Sequence, residues 1–153
     1  MESMDNRVIR RAEVSDVDSI VQCVQKAYEP YVARMGRKPA PMLADYRQLV
    51  CDGVVNVAER NGDIEGVIVF WAETDHVYID NIATPETSRG SGVGQALLSC
   101  AEEHTRAVGH SEIRLYTNVA MAENLGYYDR RGFAETHRSG DSGYERVYFS
   151  KRI

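Results

Sequence analysis

The chain has 153 residues, of which 43% are hydrophobic and 27% are charged, so we expect one folded domain over residues 1–153. Its net charge of −5 argues against a nucleic-acid partner, and no apolar run is long enough to make a membrane partner plausible. The first residues lack the apolar core of a secretory signal, which predicts a cytoplasmic protein. Three widely spaced cysteines and four dispersed histidines show no ligand spacing, so we expect no metal.

The first predicted elements are a strand and a helix. Residues 7–12, RVIRRA, have the composition of a short strand. Ser15 and Asp18 have the spacing of a capping box, which predicts that a helix begins there. Apolar residues then recur at steps of three and four as far as Tyr28, and we expect Pro30 to end or redirect this helix.

A region of β character follows the first helices. Residues 31–43 combine glycine, prolines and aromatics, which predicts an ordered loop or broken helix before a helix at about 42–51. Runs of β-forming residues over 53–84 are separated by turn signals. Asn61-Gly62 predicts a type I′ hairpin turn, because both central positions of that turn need positive φ. We therefore expect three antiparallel strands here.

The second half alternates helices and strands. The patterns predict a helix over 92–108, a strand over 111–118, a helix over 121–132 and closing strands over 133–139 and 144–152. Strands and helices thus mix along the whole chain without an internal repeat. This order predicts an α/β fold with a mixed sheet.

Glycines recur at alternate positions in the stretch Arg89-Gly90-Ser91-Gly92-Val93-Gly94, between a strand end at Thr84 and a helix. Unpaired N–H groups and the positive end of the helix dipole make such a junction an anion site, and missing Cβ atoms allow close approach of a phosphate. The stretch lacks the Gly-Lys-Ser/Thr of a Walker A loop and differs from G-x-G-x-x-G. A tight strand-to-helix turn is the alternative interpretation.

This stretch resembles the R/Q-x-x-G-x-G/A signature of the GCN5-related N-acetyltransferases. Residues 79–86, IDNIATPE, resemble the strand of that family that binds pantetheine, and residues 127–133, YYDRRGF, resemble its aromatic-Tyr-x-x-x-Gly-Phe segment. The resemblance covers essentially the whole chain. It implies the single-domain acyl-CoA N-acyltransferase fold, an α+β fold with a mostly antiparallel sheet of about seven strands and about four helices.

The resemblance implies acetyl-CoA as the co-substrate. Its pyrophosphate would be bound by backbone amides of residues 90–95, and its pantetheine would run beside residues 82–84, where an amide near Ala83 would polarise the thioester carbonyl. The residues that the resemblance and their positions assign to this site are Ile82, Ala83, Thr84, Arg89, Gly90, Ser91, Gly92, Val93, Gly94, Gln95, Asn118 and Asn124.

Two residues are candidates for proton transfer. An amine with a pKa of about 10.4 must lose a proton to attack, and Asp80, a carboxylate in mid-strand, is the candidate base or ammonium anchor. Glu73 and Asp75 are lesser candidates for this role. The resemblance implies that Tyr128 is the acid that protonates the departing thiolate. The alternatives are that Asp80 is a solvent-facing strand residue and Tyr128 a packed core residue.

The predicted function is transfer of an acetyl group to a primary amine by direct attack, with a small molecule or a peptide as acceptor. The alternatives are a transferase for another acyl-CoA and a non-catalytic acyl-CoA-binding sensor. Tyr28, Tyr31, Trp71 and Tyr78 could line an acceptor pocket. The C-terminal strands could pair across a homodimer, as the resemblance implies.

Overall fold

The computed structural model describes residues 6–88, 90–141 and 144–153, which form seven strands and four α-helices. The strands are β1 (Arg7–Arg11), β2 (Val55–Arg60), β3 (Asp63–Ala72), β4 (Val77–Ala83), β5 (Glu112–Asn118), β6 (Ala134–Asp141) and β7 (Tyr144–Arg152). The helices are α1 (Val17–Met35), α2 (Tyr46–Cys51), α3 (Val93–Ala107) and α4 (Ala122–Arg130).

Hydrogen bonds order the strands as β1-β2-β3-β4-β5-β7-β6. The β4–β5 pair is parallel, whereas β1–β2, β2–β3, β5–β7 and β6–β7 are antiparallel. This arrangement confirms the predicted α/β fold with a mostly antiparallel sheet. In the part of the chain that the structure describes, no helix is both long and apolar enough to span a membrane.

The chain divides into two compact units. Unit 1 comprises Met1–Phe70 and Asn81–Cys100, and unit 2 comprises Trp71–Asp80 and Ala101–Ile153. Unit 1 therefore contains β1, β2, α1, α2 and the first part of α3, whereas unit 2 contains β5, β6, β7 and α4.

The start of α1 corrects the predicted capping box. A 3-10 turn, Val14–Asp16, precedes the helix, and the Asp16 carboxylate accepts the Glu13 backbone N–H at 2.7 Å. The guanidinium of Arg10 also donates to both Asp16 oxygens, at 2.8 and 3.0 Å. The helical segment thus begins near Ser15 as predicted, but the capping box is formed by Glu13 and Asp16, two residues before the predicted pair.

Helix α1 also continues through Pro30, where the sequence predicted that the helix would end or be redirected. It stops only at Gly36, whose φ of 70° is left-handed and whose N–H bonds to the Val32 carbonyl. An interior proline costs about 3 kcal/mol, and complete burial of one large side chain offsets about 1.5–3 kcal/mol of that. Tyr28 and Tyr31 are both buried on either side of Pro30, which explains why the helix continues.

Two glycines in unit 1 fix the path of the chain toward α3. Asn61 and Gly62 have φ of 53° and 87°, as the predicted type I′ turn between β2 and β3 requires. At Gly66 on β3, a Cβ would lie 2.9 Å from side-chain atoms of both Val93 and Leu97. Helix α3 therefore packs on β3 at a distance that only glycine permits.

The core of unit 2 lies on one face of its strands. Alternate residues of β5 and β7 are buried there, namely Ile113, Leu115, Val147 and Phe149. The α4 residue Tyr128 packs its ring 5.6 Å from that of Phe133 and 5.7 Å from that of Phe149. Because side chains alternate along a strand, the residues between the buried ones project from the opposite face.

Candidate functional site

The residues before α3 have an open backbone. We call residues 90–94 the glycine loop. Gly90 and Gly92 have φ of 82° and 87°, a conformation that side chains rarely adopt, and a Cβ on Gly90 would meet nothing within 4 Å. The glycine loop therefore has space beside its backbone, which a ligand can enter. Arg89, which the resemblance places in this site, lies outside the described residues.

The first turn of α3 provides hydrogen-bond donors next to the glycine loop. The N–H of Ala96 donates to the Gly92 carbonyl at 3.0 Å, and N–H groups ahead of it have no acceptor four residues back within the helix. Gly94 and Gln95 lie in this turn, whereas the side chain of Val93 is buried. These amides and the helix dipole together favour a bound anion.

An arginine from β1 braces the glycine loop. Arg7 donates from Nη2 to both the carbonyl oxygen and the hydroxyl of Ser91, each at 3.1 Å, and its Nη1 lies 3.8 Å from where a Gly92 Cβ would be. Its Nε is paired with Glu65 at 3.2 Å, and Arg60 is paired with the same carboxylate. Two arginines therefore share one glutamate, and one of them, Arg7, places its guanidinium against the loop.

Three residues at the end of β4 are predicted to contact acetyl-CoA, and they lie next to a buried polar network. Ala83 is buried, and Ile82 and Thr84 are half-buried. The hydroxyl of Tyr28 donates to the side-chain oxygen of buried Asn81 and lies 2.9 Å from the Ile82 carbonyl oxygen.

The network continues from Asn81 to the segment before α2. The Nδ2 of Asn81 donates to the Tyr46 hydroxyl at 2.8 Å, and that hydroxyl donates to the Pro41 carbonyl at 2.6 Å. Tyr28 thus belongs to the polar core of unit 1. Tyr31, the other aromatic residue of α1 considered for the acceptor pocket, is also buried.

In unit 2, aromatic side chains form a line across five strands. We call Trp71, Tyr78, Tyr116, Tyr148 and His137 the aromatic row. Successive ring centroids along the row are 5.4, 6.3, 5.5 and 4.3 Å apart, and the last pair is stacked. The row alternates in sequence with buried residues of β4, β5 and β7, so it lies on the face opposite the core.

Two charged side chains accompany the aromatic row. Asp80 is half-buried, two residues after Tyr78, and burial raises the pKa of its carboxyl. The pKa of Tyr116 is raised by burial and also by the negative charge of Asp80, although Arg146 acts to lower it. The Arg146 guanidinium lies 4.4 Å from the centre of the Tyr116 ring. Opposite charges therefore act on the same ring.

The lesser candidates for the base have other partners. Glu73 accepts the indole N–H of Trp71 at 2.7 Å. Asp75 is exposed, and its hydrogen bond to His76, 2.7 Å long, holds the pKa of the carboxyl below its ordinary value. The pKa of the Asp75 carboxyl is thus lowered whereas that of the Asp80 carboxyl is raised, which makes Asp80 the stronger base of these two aspartates.

The two candidate asparagines lie around the start of α4, and Tyr128 lies near its end. Asn124 lies one helical turn before Tyr128 and donates from Nδ2 to the Thr117 hydroxyl at 3.1 Å. The side-chain oxygen of Asn118 accepts the Ala120 N–H at 2.8 Å, which shapes the turn into the helix. Tyr128 is buried, and its neighbour Tyr127 lies under the Arg131 guanidinium at 4.0 Å.

Within the described ranges, no three His, Cys, Asp or Glu side chains come together in a way that could hold a metal ion. The cysteines are also separate from one another. Cys23 is buried, which raises the pKa of its thiol to about 12, whereas Cys51 is exposed.

The sequence predicted the glycine loop. It did not predict the arginine beside that loop or several side chains that lie in or next to the aromatic row. Arg7 carries no local signal, because it lies 84 residues before the Ser91 that it contacts. Tyr116, Tyr148 and Arg146 alternate with apolar residues, which is the only trace of their shared face in the sequence.

Comparisons with known proteins place the chain among acetyltransferases. Residues 20–133 match the model of the family described as acetyltransferase (GNAT) family. The chain is 27% identical over 129 residues to an IAA acetyltransferase of Azospirillum brasilense, covering 82% of this chain and 84% of that protein. It is 28% identical over 88 residues to the aminoalkylphosphonate N-acetyltransferase of Salmonella typhimurium, covering 53% and 56%.

A solved structure shares the fold. The PaiA N-acetyltransferase of Thermoplasma acidophilum, crystallised with coenzyme A, superimposes with a TM-score of 0.81 at 14% identity. The superposition covers 96% of this chain and 99% of that one.

Proposed function

Because this chain belongs to the acetyltransferase (GNAT) family, we propose that it is an N-acetyltransferase that transfers the acetyl group of acetyl-CoA to a primary amine. The observation that carries this proposal is the glycine loop, which has left-handed glycines, free space and first-turn amides where the family carries its donor signature. We also propose one transferase domain over residues 1–153, since the family match includes residues of both units.

The residues of the donor site fit a pyrophosphate. The amides of residues 90–95 would donate to it, and the guanidinium of Arg7, which contacts Ser91, would attract an anion beside them. Backbone groups of residues 82–84 would bind the pantetheine, with Asn118 and Asn124 as further polar groups. When bound, acetyl-CoA supplies an acetyl group that is activated as a thioester.

Asp80 is the proposed base or ammonium anchor. An ammonium group must lose a proton before its nitrogen can form an amide, and a carboxylate with a raised pKa holds that proton better than an ordinary aspartate. The half-buried position keeps the carboxylate partly accessible to an amine or to a bridging water. Asp80 therefore combines basicity with access.

Tyr128 is the proposed acid. A phenol that gives its proton to the departing thiolate balances the proton that leaves the amine nitrogen. The packing of Tyr128 between Phe133 and Phe149 fixes the direction of its ring, so its hydroxyl is held in one place. The resemblance assigns this role to the position that Tyr128 occupies in YYDRRGF.

The proposed acceptor is a small molecule or a peptide with a primary amine. The Salmonella relative is named for aminoalkylphosphonates, which supports a small amine, but the identity over 53% of this chain does not extend the relative's substrate to it. The acceptor class must therefore be sought in the side chains of this chain.

The first experiment is titration calorimetry with acetyl-CoA, followed by mass spectrometry of reactions with a panel of amines. We expect micromolar binding and amine products that are heavier by one acetyl group. The same reactions with propionyl-CoA test whether a longer acyl group is preferred. No binding of either acyl-CoA would contradict the proposal, whereas binding without any acylated amine would make the chain an acyl-CoA-binding protein.

A further inference from the structure

We infer that Tyr28 is a positioning residue for acetyl-CoA, because it holds the last residues of β4 in the conformation that the pantetheine binds. This inference rests on the proposed transferase function and adds a residue from α1 to its donor site. Three features carry it: the length of β4 beyond its pairing with β5, a buried carboxamide within that length, and the two acceptors that face the Tyr28 hydroxyl.

The last residues of β4 extend beyond its pairing with β5. The register pairs of the two strands end at Ile79–Leu115, whereas β4 itself continues to Ala83. We call residues 81–83 the β4 end. An extended segment beyond its strand pairing has N–H and C=O groups that a strand-like ligand can use. Such a segment binds a ligand well only if its own conformation is already fixed, because ordering the segment on binding would reduce the affinity.

A buried carboxamide anchors the β4 end. Asn81 is only 5% exposed and lies between the buried residues Ile79 and Ala83 on the same face of the strand. A carboxamide in such a position costs free energy unless its polar groups are hydrogen-bonded. Its Nδ2 donates to the Tyr46 hydroxyl at 2.8 Å, and its Oδ1 accepts from the Tyr28 hydroxyl. Asn81 is therefore held by one tyrosine of α1 and one of α2.

The direction of each hydrogen bond in this network follows from a count of protons. The Tyr46 hydroxyl gives its only proton to the Pro41 carbonyl at 2.6 Å, so its contact with Asn81 must use a proton of the carboxamide. The carboxamide oxygen consequently faces Tyr28. The single proton of the Tyr28 hydroxyl therefore lies between two acceptors, the Asn81 Oδ1 and the Ile82 carbonyl oxygen, the latter at 2.9 Å.

Tyr28 thus contacts both a side chain and the main chain of the β4 end. Because a peptide unit is planar, a hydrogen bond that holds the Ile82 carbonyl also fixes the direction of the Ala83 N–H. Residues 82–84 are those whose backbone groups would bind the pantetheine. A carbonyl oxygen has two lone pairs, so that of Ile82 can accept a second hydrogen bond while it keeps the one from Tyr28. Tyr28 therefore acts through the backbone and does not need to touch the ligand.

The inference predicts a loss that is confined to one half of acetyl-CoA. Tyr28→Phe should weaken acetyl-CoA binding about tenfold, because the β4 end loses a hydrogen bond that fixes it. The same variant should keep the wild-type affinity for the adenosine bisphosphate that forms the nucleotide half of CoA, whereas Gly92→Asp should weaken the binding of both ligands. Calorimetry measures these affinities. An equal loss of both ligands in Tyr28→Phe, or no loss of either, would overturn the inference.

Tyr46→Phe is the matched control. Tyr46 is also buried and belongs to the same network, but its described hydrogen bonds connect it to Pro41 and Asn81. Each variant removes one buried hydroxyl, so both should lower the melting temperature, whereas only Tyr28→Phe should lose affinity for acetyl-CoA. Equal losses of acetyl-CoA affinity in the two variants would mean that the network stabilises the fold and that Tyr28 does not position the ligand.

A measurement on the intact network tests the inference even if Tyr28→Phe does not fold. A fluorotyrosine introduced at position 28 through an amber codon keeps the hydroxyl, and its fluorine resonance reports on the surroundings of that group. Acetyl-CoA should shift this resonance, whereas the adenosine bisphosphate should leave it in place. No shift at saturating acetyl-CoA would overturn the inference. Failure of the wild-type protein to bind acetyl-CoA would instead refute the proposed function.

Discussion

The glycine loop and the aromatic row are built from different parts of the polypeptide. The glycine loop presents backbone amides from a few consecutive residues, with one arginine from β1 behind them. The aromatic row presents side chains from five strands, and these side chains are spread over the sequence from Trp71 to Tyr148. One surface depends on the absence of side chains, and the other depends entirely on them.

This difference determines how each surface responds to substitution. A backbone surface tolerates changes in the neighbouring side chains but is destroyed by any group that occupies its space. A side-chain surface can be altered one residue at a time, and each change alters the class of ligand that fits. Family members can therefore share a donor and differ in acceptor, and the following variants test that contrast.

The largest effect is expected for Asp80→Asn. The substitution keeps the shape of the side chain but removes the base, so kcat should fall by about 10³-fold while acetyl-CoA affinity is unchanged. Asp75→Asn is the control, because that exposed carboxylate is held by His76. Steady-state kinetics measure both, and a larger loss in Asp75→Asn would move the catalytic role to the hairpin.

The pH dependence of Asp80 gives a second test. Burial raises the pKa of its carboxyl, so wild-type activity should decline as the pH falls through that raised value. The effect on stability has the opposite sign. The folded state holds the Asp80 proton more tightly than the unfolded state does, so the free energy of unfolding falls as the pH rises through the raised pKa. Asp80→Asn should therefore melt at a higher temperature at neutral pH, and a lower melting temperature would contradict this account.

Gly92→Asp should weaken acetyl-CoA binding by about 10²-fold, because it places a side chain and a negative charge against amides that bind an anion. Gly62→Asp is a matched control for backbone strain, since Gly62 also has a φ of 87° but lies in a hairpin turn, where a Cβ would meet nothing within 4 Å. Calorimetry with both variants separates backbone strain from loss of the site. Equal affinities would show that the glycines form only a turn.

Tyr128→Phe should lower kcat by about 10²-fold without abolishing turnover, because the thiolate can take its proton from water more slowly. The phenyl ring keeps the contacts with Phe133 and Phe149, so the melting temperature should change little. Tyr127→Phe is the control at the neighbouring position. If both variants retain full kcat, Tyr128 is a packing residue only.

The smallest effect is expected for Arg7→Gln, with about a tenfold loss in acetyl-CoA affinity and no change in acceptor KM. Arg60→Gln is a close control, because Arg60 shares the carboxylate of Glu65 but is not the residue that donates to Ser91. Calorimetry should show a smaller loss for Arg60→Gln. Equal losses would mean that acetyl-CoA affinity depends on the positive charge of the arginines and not on the hydrogen bonds from Arg7 to Ser91.

Much of the fold could be predicted from the sequence, because local patterns encode it. The helix predicted over 92–108 is α3, Val93–Ala107, and the Asn61-Gly62 turn has both predicted positive φ values. The errors at the start of α1 and at Pro30 have a common cause. In each case a contact with a distant or buried partner outweighed a local preference.

The candidate site divides in the same way. The glycine loop is contiguous, so it was found from the sequence, whereas its brace Arg7 was not. Trp71 and Tyr78 were considered together with Tyr28 and Tyr31, but the first two belong to the aromatic row and the last two are buried in unit 1. Composition identifies aromatic residues, but only strand register shows which of them share a face.

The hydrogen bonds around Asn81 have a consequence for the entropy of the segment before α2. The Tyr46 hydroxyl bonds to the Pro41 carbonyl and receives a hydrogen bond from Asn81, so these residues are held in one conformation by groups of unit 1 itself. The loss of conformational freedom in this segment therefore occurs during folding. A ligand that contacts the segment meets a preorganised surface, and its affinity is not reduced by the need to order a loop.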